Sequence, residues 1–354
     1  MFKHVLFVGP QYKDHRGGIG AVLATYAASI EGFQFIASFD GNRGKIGNVM
    51  VFLRCIIKLS WRLAFRKEIE IIHLHSASKG SFYRKYILFL LAKYLGRRKV
   101  IYHLHGGNFH NFYDSSSGRV KRAINHIFSK ADSIVCLSNS WSKYLGETFN
   151  SPKLAVVNNP VSLGNSSDHQ HEKTNSRLHL LFLGLINENK GIFDLLTAIV
   201  NEKNFFEGKI VLSIGGSGDV EKLEKFIKEK GIDSIVKFKG WVDGQEKEVI
   251  LSACDVLILP SYYEGLPVCI LEAMNHGKAI IATTVGGIPE IVTNNENGFL
   301  FTPGDTKTLT SLLKMLTTDP ELVKRLGDAS LEKVKPYLIN NVIKQLEVIY
   351  KSIA

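Results

Sequence analysis

Two glutamates stand close together in a dense stretch of motif, SYYEGLPVCILEAMNHGKAIIATTVGGIPEIV at 261–292: Glu264 and, after seven intervening residues, Glu272. An apolar run ends at Pro260, Gly265 supplies a turn, and Pro267 is expected at the first position of the helix that follows, where its missing N–H costs nothing. The unpaired N–H groups of such a helix start carry the positive end of its dipole, so they suit an anionic or hydroxyl-rich ligand. One carboxylate then faces the turn and the other projects from the second helical turn. Placed at two depths, they can accept hydrogen bonds from two hydroxyl-bearing parts of one ligand. Without that context the same pair would be a capping residue and an ordinary surface glutamate.

Three other groups of residues suggest chemistry. Lys190 and Gly191 lie at a helix start within FLGLINENKGIFDLLTAI, 182–199. A lysine there opposes the helix dipole and needs another reason for its place, such as an anionic ligand. The run GGIG at 17–20 follows the first apolar run after a short loop, and its glycines let the backbone approach a diphosphate closely. A dinucleotide loop is the alternative, with Asp40 standing 22 residues beyond Gly18, but G-x-G-x-x-G fails because position 23 is Leu23. Four histidines form two His-x-His pairs, His73 with His75 and His103 with His105, each on one face of a strand. Zinc would accept imidazoles, yet no carboxylate or thiol accompanies them at a recognised spacing, so buried, hydrogen-bonded rings are expected at His73, His75 and His103. No Asp-x-Asp occurs anywhere, and neither a metal nor another cofactor is expected.

These residues sit between elements that alternate from end to end. Strands are expected at 4–9, 33–39, 69–75, 99–105, 133–137 and 154–157, with helices near 18–30, 48–66, 80–95, 119–129 and 140–147. After a polar, aperiodic stretch the pattern restarts, with strands at 178–184, 209–215, 234–240, 255–260, 278–283 and 298–302. Helices near 190–201, 219–230, 245–252, 267–276 and 306–317 separate them. Short runs that are apolar almost throughout, alternating with helices, mean parallel strands covered on both faces. The expectation is an α/β chain of two doubly wound, Rossmann-like domains facing across a cleft: 1–160, a linker at 161–177, and 178–336. A last amphipathic helix within 337–354 is expected to pack back on the first domain.

E-G-L-P followed by L-E-A, G-x-P-E-I and N-G-F-L resembles the signature of retaining GT-B glycosyltransferases, glycosyltransferase family 4, and the resemblance runs along nearly the whole chain. It implies that Glu264 lies near the donor sugar hydroxyls and Glu272 on the ribose, with the backbone amides of Gly265 and Leu266 on the sugar or diphosphate. By the same resemblance Gly17 and Gly18 fall on the donor-phosphate side, Lys190 on the departing diphosphate, and His105 close to the donor sugar. Gly106, Gly107, Asn108 and Phe109 would then open an acceptor-side loop, GNFHNFYD, whose aromatics offer stacking faces. Where many relatives carry arginine after F-x-G, this chain has Leu185. A weaker grip on the nucleotide, replacement by another basic residue such as Arg16, or an altered donor would each account for it. In such enzymes the acceptor hydroxyl arrives on the face the leaving group departs from, so no carboxylate need be a covalent nucleophile.

Charge divides the chain. The 354 residues carry 44 basic and 33 acidic side chains, net +11, but 1–160 holds 23 basic and 8 acidic, net +15. Arg54, Lys58, Arg62 and Arg66 recur every fourth residue along one expected helix, and six further basic residues fall in 82–99. Either these are the solvated faces of two ordinary helices, or the first domain rests on an anionic membrane surface. No nucleic-acid recognition module accompanies the charge. Cys55, Cys136, Cys254 and Cys269 are scattered and fit free thiols of a reducing compartment. With no signal-peptide core and no run near 18 apolar residues, a cytoplasmic protein, peripheral on the membrane, is expected. The function the resemblance implies is transfer of a sugar from a nucleotide diphosphate to a saccharide acceptor, with a lipid-linked intermediate of surface polysaccharide synthesis as the acceptor expected. A nucleotide-sugar hydrolase or epimerase of the same fold and a non-catalytic membrane-docked scaffold are the alternatives.

Overall fold

A computed structural model describes residues 2–13, 17–151, 153–162 and 177–353. It divides into two compact units, one taking the chain as far as Ser162 and again from Tyr337, the other running to Pro336. Val161 and Ser162, assigned to the linker from sequence, belong to the first unit: Val161 is buried and its N–H donates to the Tyr337 carbonyl at 2.9 Å. The rest of the expected linker, 163–176, lies outside the described residues, as does Arg16.

In the first unit the order is β1 (Val5–Pro10), α1 (Gly18–Ser29), β2 (Gln34–Phe39), α2 (Lys45–Phe65), β3 (Ile71–Ser76), α3 (Gly80–Leu90), β4 (Lys99–Leu104), α4 (Phe109–Asp114), α5 (Gly118–Lys130), β5 (Ser133–Cys136), α6 (Asn139–Phe149) and β6 (Leu154–Val156). All six strands are parallel, in the order β2-β1-β3-β4-β5-β6. Every residue of β3 is buried, as expected for a strand covered on both faces. The helix expected over 80–95 ends its α-helical part at Leu90 and continues as a π-helical turn, Leu91–Leu95.

The second unit runs β7 (Leu178–Leu183), α7 (Ile192–Asn201), α8 (Lys203–Phe206), β8 (Ile210–Gly215), α9 (Val220–Lys230), β9 (Val236–Phe238), α10 (Gly244–Ala253), β10 (Val256–Leu259), α11 (Val268–Asn275), β11 (Ala279–Thr283), α12 (Ile288–Ile291), β12 (Gly298–Phe301), α13 (Thr306–Thr318) and α14 (Pro320–Lys333). Its sheet is again all parallel, in the order β12-β11-β10-β7-β8-β9. Helix α14 was not foreseen, although Asp319 capping the Leu322 N–H at 2.9 Å and Pro320 in the first turn are a helix-start signal. The final helix, α15 (Ile339–Ile353), belongs to the first unit, where it buries Val342, Leu346, Ile349 and Tyr350.

Each sheet has a point where the strand order reverses, between β1 and β3 in the first and between β7 and β10 in the second. In open α/β sheets the crevice beyond the strand carboxyl ends at such a point is where ligands bind. Lys190 follows β7 and Glu264 follows β10, so the topology alone brings them to one place.

Candidate active site

Lys190 ends a 3-10 turn, Glu188–Lys190, whose start is capped by the Asn187 side chain accepting from the Lys190 N–H at 3.0 Å. Gly191 follows with φ of +66°, and a Cβ there would lie 2.0 Å from the Pro260 carbonyl oxygen. Only glycine permits that approach, which joins the loop after β7 to the loop after β10. The Tyr262 N–H donates to the Asn189 carbonyl at 2.9 Å, fastening the same two loops, and its hydroxyl donates to Asp194 in the first turn of α7 at 3.0 Å. Lys190 Nζ then donates to Glu264 Oε1 at 2.5 Å, and Ser261 Oγ donates to the same oxygen at 2.8 Å. Glu264 is only 8% exposed. Burial alone would push the Lys190 ammonium down, but the charge and hydrogen bond of Glu264 overcome it and hold the pKa above its ordinary value.

Behind the turn, Gly286 has φ of +55° and no room for a side chain, since a Cβ would stand 1.9 Å from the Glu264 carbonyl oxygen. The Gly287 N–H donates to the Gly265 carbonyl at 2.7 Å. The GGIPE stretch therefore clamps the EGLP turn in place. Pro267 is the N-cap of α11, with ψ of 121°, and not the first helical residue expected; α11 begins one residue later. Glu272 projects from the second turn of α11 and accepts from Lys247 Nζ of α10 at 2.6 Å. Both Lys–Glu pairs act on the Cys269 thiol, which burial pushes up to about 12. Gly265 and Leu266 are buried at the turn itself. Leu185 is exposed, 46%, just beyond β7, and brings no charge to that loop.

The first unit gathers the four histidines into one stack. His75 and His103 are register partners on neighbouring β3 and β4, and rings on the same face of both strands lie 4.1 to 5.2 Å apart. His73 Nε2 meets His103 Nδ1 at 3.1 Å, and His75 Nδ1 meets His105 Nε2 at 2.8 Å. The Tyr350 hydroxyl of α15 reaches His73 Nδ1 at 2.7 Å. Burial drives all four pKa values down, those of His73 and His105 to about 3, so the rings are neutral at pH 7. Ring nitrogens of His73, His75 and His103 lie within 4.8 Å of one another, a geometric candidate for a metal among the described residues. The rings are nearly parallel, however, with planes 17° to 37° apart, whereas ligands of one ion converge their lone pairs on a point. Sequence reading placed the pairs on strand faces but not the stack, because register between strands decides it.

Lys85, one of the six basic residues in 82–99 for which a solvated helix face or a membrane surface is expected, is on neither, being 1% exposed. Its Nζ donates to Ser38 Oγ at 2.5 Å, and burial lowers its pKa to about 7. Gly17 is the N-cap of α1 and Gly18 its exposed first residue. His105 follows β4, its N–H donating to the Ser76 carbonyl at 2.8 Å. Gly106, Gly107 and Asn108 form the half-buried turn that comes next. Phe109 corrects the expectation of an aromatic stacking loop: it opens α4 and is fully buried against Phe112, Phe128 and Phe149, because apolar residues at 109 and 112 fall on one helical face. The basic stripe is likewise not one surface. Arg54, Lys58 and Arg66 are exposed, but Arg62 is half-buried and donates to Gln34 Oε1 at 3.2 Å, while Arg66 pairs with Glu68. The four cysteines are free thiols.

Residues 36–165 match the family model of glycosyltransferase family 4, and residues 165–333 match that of glycosyl transferases group 1. An uncharacterised protein of the cps region of Klebsiella pneumoniae is 27% identical over 243 residues, 66% of this chain and 65% of that protein. The MMP α-(1→4)-mannosyltransferase of Mycolicibacterium hassiacum is 33% identical over 166 residues, 46% of this chain and 40% of that enzyme. These similarities thus span roughly half of the relatives' own length. Among solved structures, Anabaena HepE in complex with UDP and glucose superposes with a TM-score of 0.76 at 18% identity, covering 99% of this chain and 98% of that one, a likeness of fold. With both halves matched in turn and the paired parallel sheets of the fold in place, the chain belongs to the glycosyltransferases of group 1 and family 4, of GT-B type.

Proposed function

We propose that the protein is a retaining, metal-independent glycosyltransferase that moves a sugar from a nucleoside diphosphate to a saccharide acceptor, a lipid-linked intermediate of surface polysaccharide synthesis. What supports this most is the Lys190–Glu264 pair, 2.5 Å apart at the strand-order reversal of the second sheet. A charged, partly buried ammonium there offsets the negative charge that develops on a departing diphosphate. Glu264 accepts sugar hydroxyls with its remaining lone pairs. Glu272 accepts from the ribose, the N–H groups of Gly265 and Leu266 face the sugar or diphosphate, and Gly17 and Gly18 lie on the phosphate side. His105 sits by the donor sugar, with Gly106, Gly107 and Asn108 towards the acceptor.

In the step proposed, the acceptor oxygen bonds to the anomeric carbon on the face from which the diphosphate leaves. The bond from that carbon to the phosphate oxygen breaks, and the acceptor proton passes to the departing phosphate. Glu264 is an orienting group in this scheme, since one of its oxygens already accepts from Lys190 and Ser261. Lys190 supplies the charge that a cation would otherwise supply, and the parallel histidine rings are poorly disposed to hold one. UDP and glucose in the HepE complex and the cps region of the Klebsiella relative favour a nucleotide-sugar donor and a polysaccharide product. No described helix is long and apolar enough to cross a membrane, and the net charge of +15 in residues 1–160 favours a peripheral place on an anionic cytoplasmic surface.

The test is a panel of nucleotide sugars scored by thermal shift, followed by transfer from the labelled donor to lipid-extracted acceptor in the presence of a chelator. A donor-specific stabilisation and a glycolipid that keeps the donor's anomeric configuration are expected. Free sugar or an isomer formed without acceptor would replace transfer by hydrolysis or epimerisation, and activity abolished by the chelator would remove metal independence.

A further inference from the structure

We propose that the outward face of α2 inserts its apolar side chains into the headgroup–acyl boundary of an anionic bilayer, an inference that rests on the membrane-surface reading and changes its mode. Along the 21 residues of α2, Ile46, Met50, Leu53, Ile57, Trp61 and Phe65 are exposed by 84, 50, 48, 68, 53 and 69%. At 100° per residue they fall within an arc of about 120°. Cys55, Leu59 and Leu63, which are buried against the sheet, lie on the opposite side. The helix is thus apolar on both faces, one of them exposed among the described residues. The π-helical turn packed beside it exposes Tyr94 and Leu95 as well, by 51 and 70%.

An exposed apolar stripe of this length marks an interaction surface. Charge complementarity identifies its occupant. Arg54 falls within the apolar arc near its edge and Lys58 just beyond it, and the 40° drift per step carries Arg62 and Arg66 away from it. Between Asp40 and Asp114 the chain has 14 basic residues, and its acidic residues are Glu68 and Glu70. A second copy of the chain would bring two such basic rims face to face, whereas anionic headgroups neutralise them. A helix apolar on its outer face, with lysine and arginine beside it and a tryptophan near its end, lies in the plane of the interface. At about 1.5 Å per residue it would lie along some 30 Å of surface.

The full chain is tested on vesicles of zwitterionic lipid and on vesicles containing phosphatidylglycerol, with sedimentation for partition and Trp61 fluorescence for depth, a Trp61→Phe variant assigning that signal. Binding to the anionic vesicles with a blue-shifted, bromolipid-quenched Trp61 is expected. Leu53→Gln with Ile57→Gln removes apolar area without adding charge and should lower partition at least tenfold at high and low salt alike. Arg54→Glu with Lys58→Glu should weaken it mainly at low salt. Release by the charge reversal, with the glutamine pair binding as the unaltered protein does and Trp61 unmoved, would leave a surface contact standing and overturn insertion. No binding to anionic vesicles would overturn both. A vesicle-free dimer that the glutamine pair dissociates would overturn the proposal in favour of contact between copies. Since all the substituted side chains are exposed, unchanged circular dichroism is expected of each variant.

Discussion

Glu264 and Lys190 hold each other in a setting where neither charge is fully solvated, so removing one leaves the other poorly compensated. Lys190→Met removes the positive charge proposed to meet the leaving diphosphate. Losing one such donor typically costs two to three orders of magnitude, so kcat should fall by roughly 100- to 1000-fold. Glu264→Gln, which keeps the shape, should reduce turnover while preserving the fold, as circular dichroism and steady-state rates would reveal. Glu272 belongs to a different interaction. A hydrogen bond to a charged group contributes about 1.5–3 kcal/mol, so Glu272→Ala should weaken nucleotide binding by roughly 10- to 100-fold. Unchanged affinity by calorimetric titration would contradict a ribose contact. Both glutamates and Lys190 stand out in the sequence because the motifs around them resemble those of the family, since their spacing alone would also suit a capping residue and a surface glutamate. Lys247 does not stand out, since a lysine on an amphipathic helix looks solvated until the fold sets Glu272 opposite it. The burial of Lys85 was hidden for the same reason, as composition cannot say which basic residue of a helix faces the sheet.

At the scale of elements, alternating apolar runs were enough to place the twelve strands to within a few residues, because a strand buried on both faces has few polar positions to blur its ends. Short helices escaped: α4, α8 and α12 span six residues or fewer, too little for a helical period to stand out. The histidine stack is an element-scale consequence of β3–β4 register, and it carries a pH dependence. His73, His75, His103 and His105 have pKa values below that of an unfolded histidine. Between about pH 6.5 and pH 3 the unfolded chain therefore binds protons that the folded unit does not, and stability falls as pH falls. Each ring kept neutral costs about 1.4 kcal/mol per pH unit below its unfolded pKa. Lys85, lowered to about 7, acts in the same direction at higher pH, because there too the unfolded chain holds the extra proton. Thermal unfolding of the first unit should thus shift steeply downward on acidification from pH 6.5 to 4.5. His103→Phe, which replaces one titrating ring with an apolar one, should flatten that slope, and an unaltered slope would show that the ring does not stay neutral.

For the molecule as a whole, the division into two units follows the break in the alternating pattern, but the last segment returns to the first unit across a gap of 174 intervening residues, 163–336. Periodicity marks α15 as amphipathic without saying what covers it. The structure supplies specific ties: Asn158 and Gln345 exchange hydrogen bonds at 3.1 and 3.3 Å, the Ile339 N–H donates to the Val161 carbonyl at 2.9 Å, and Tyr350 reaches His73. Ile339, Val342, Leu346, Ile349 and Tyr350 are each at least 94% buried. At about 1.5–3 kcal/mol for each fully buried side chain, their removal costs on the order of 10 kcal/mol, comparable to the entire stability of a typical domain. A chain ending at Pro336 should therefore lose the native first unit, histidine stack included, while the second, which takes no residue beyond Pro336, keeps its fold. Hydrogen exchange resolved by peptide would register this as lost protection in β1, β3 and β4, with protection retained in β7, β10 and α11. Leu346→Ala is the milder counterpart and should cost about 2–5 kcal/mol without unfolding the protein. Full protection of β3 in the shortened chain would mean that α15 covers the first unit without holding it together.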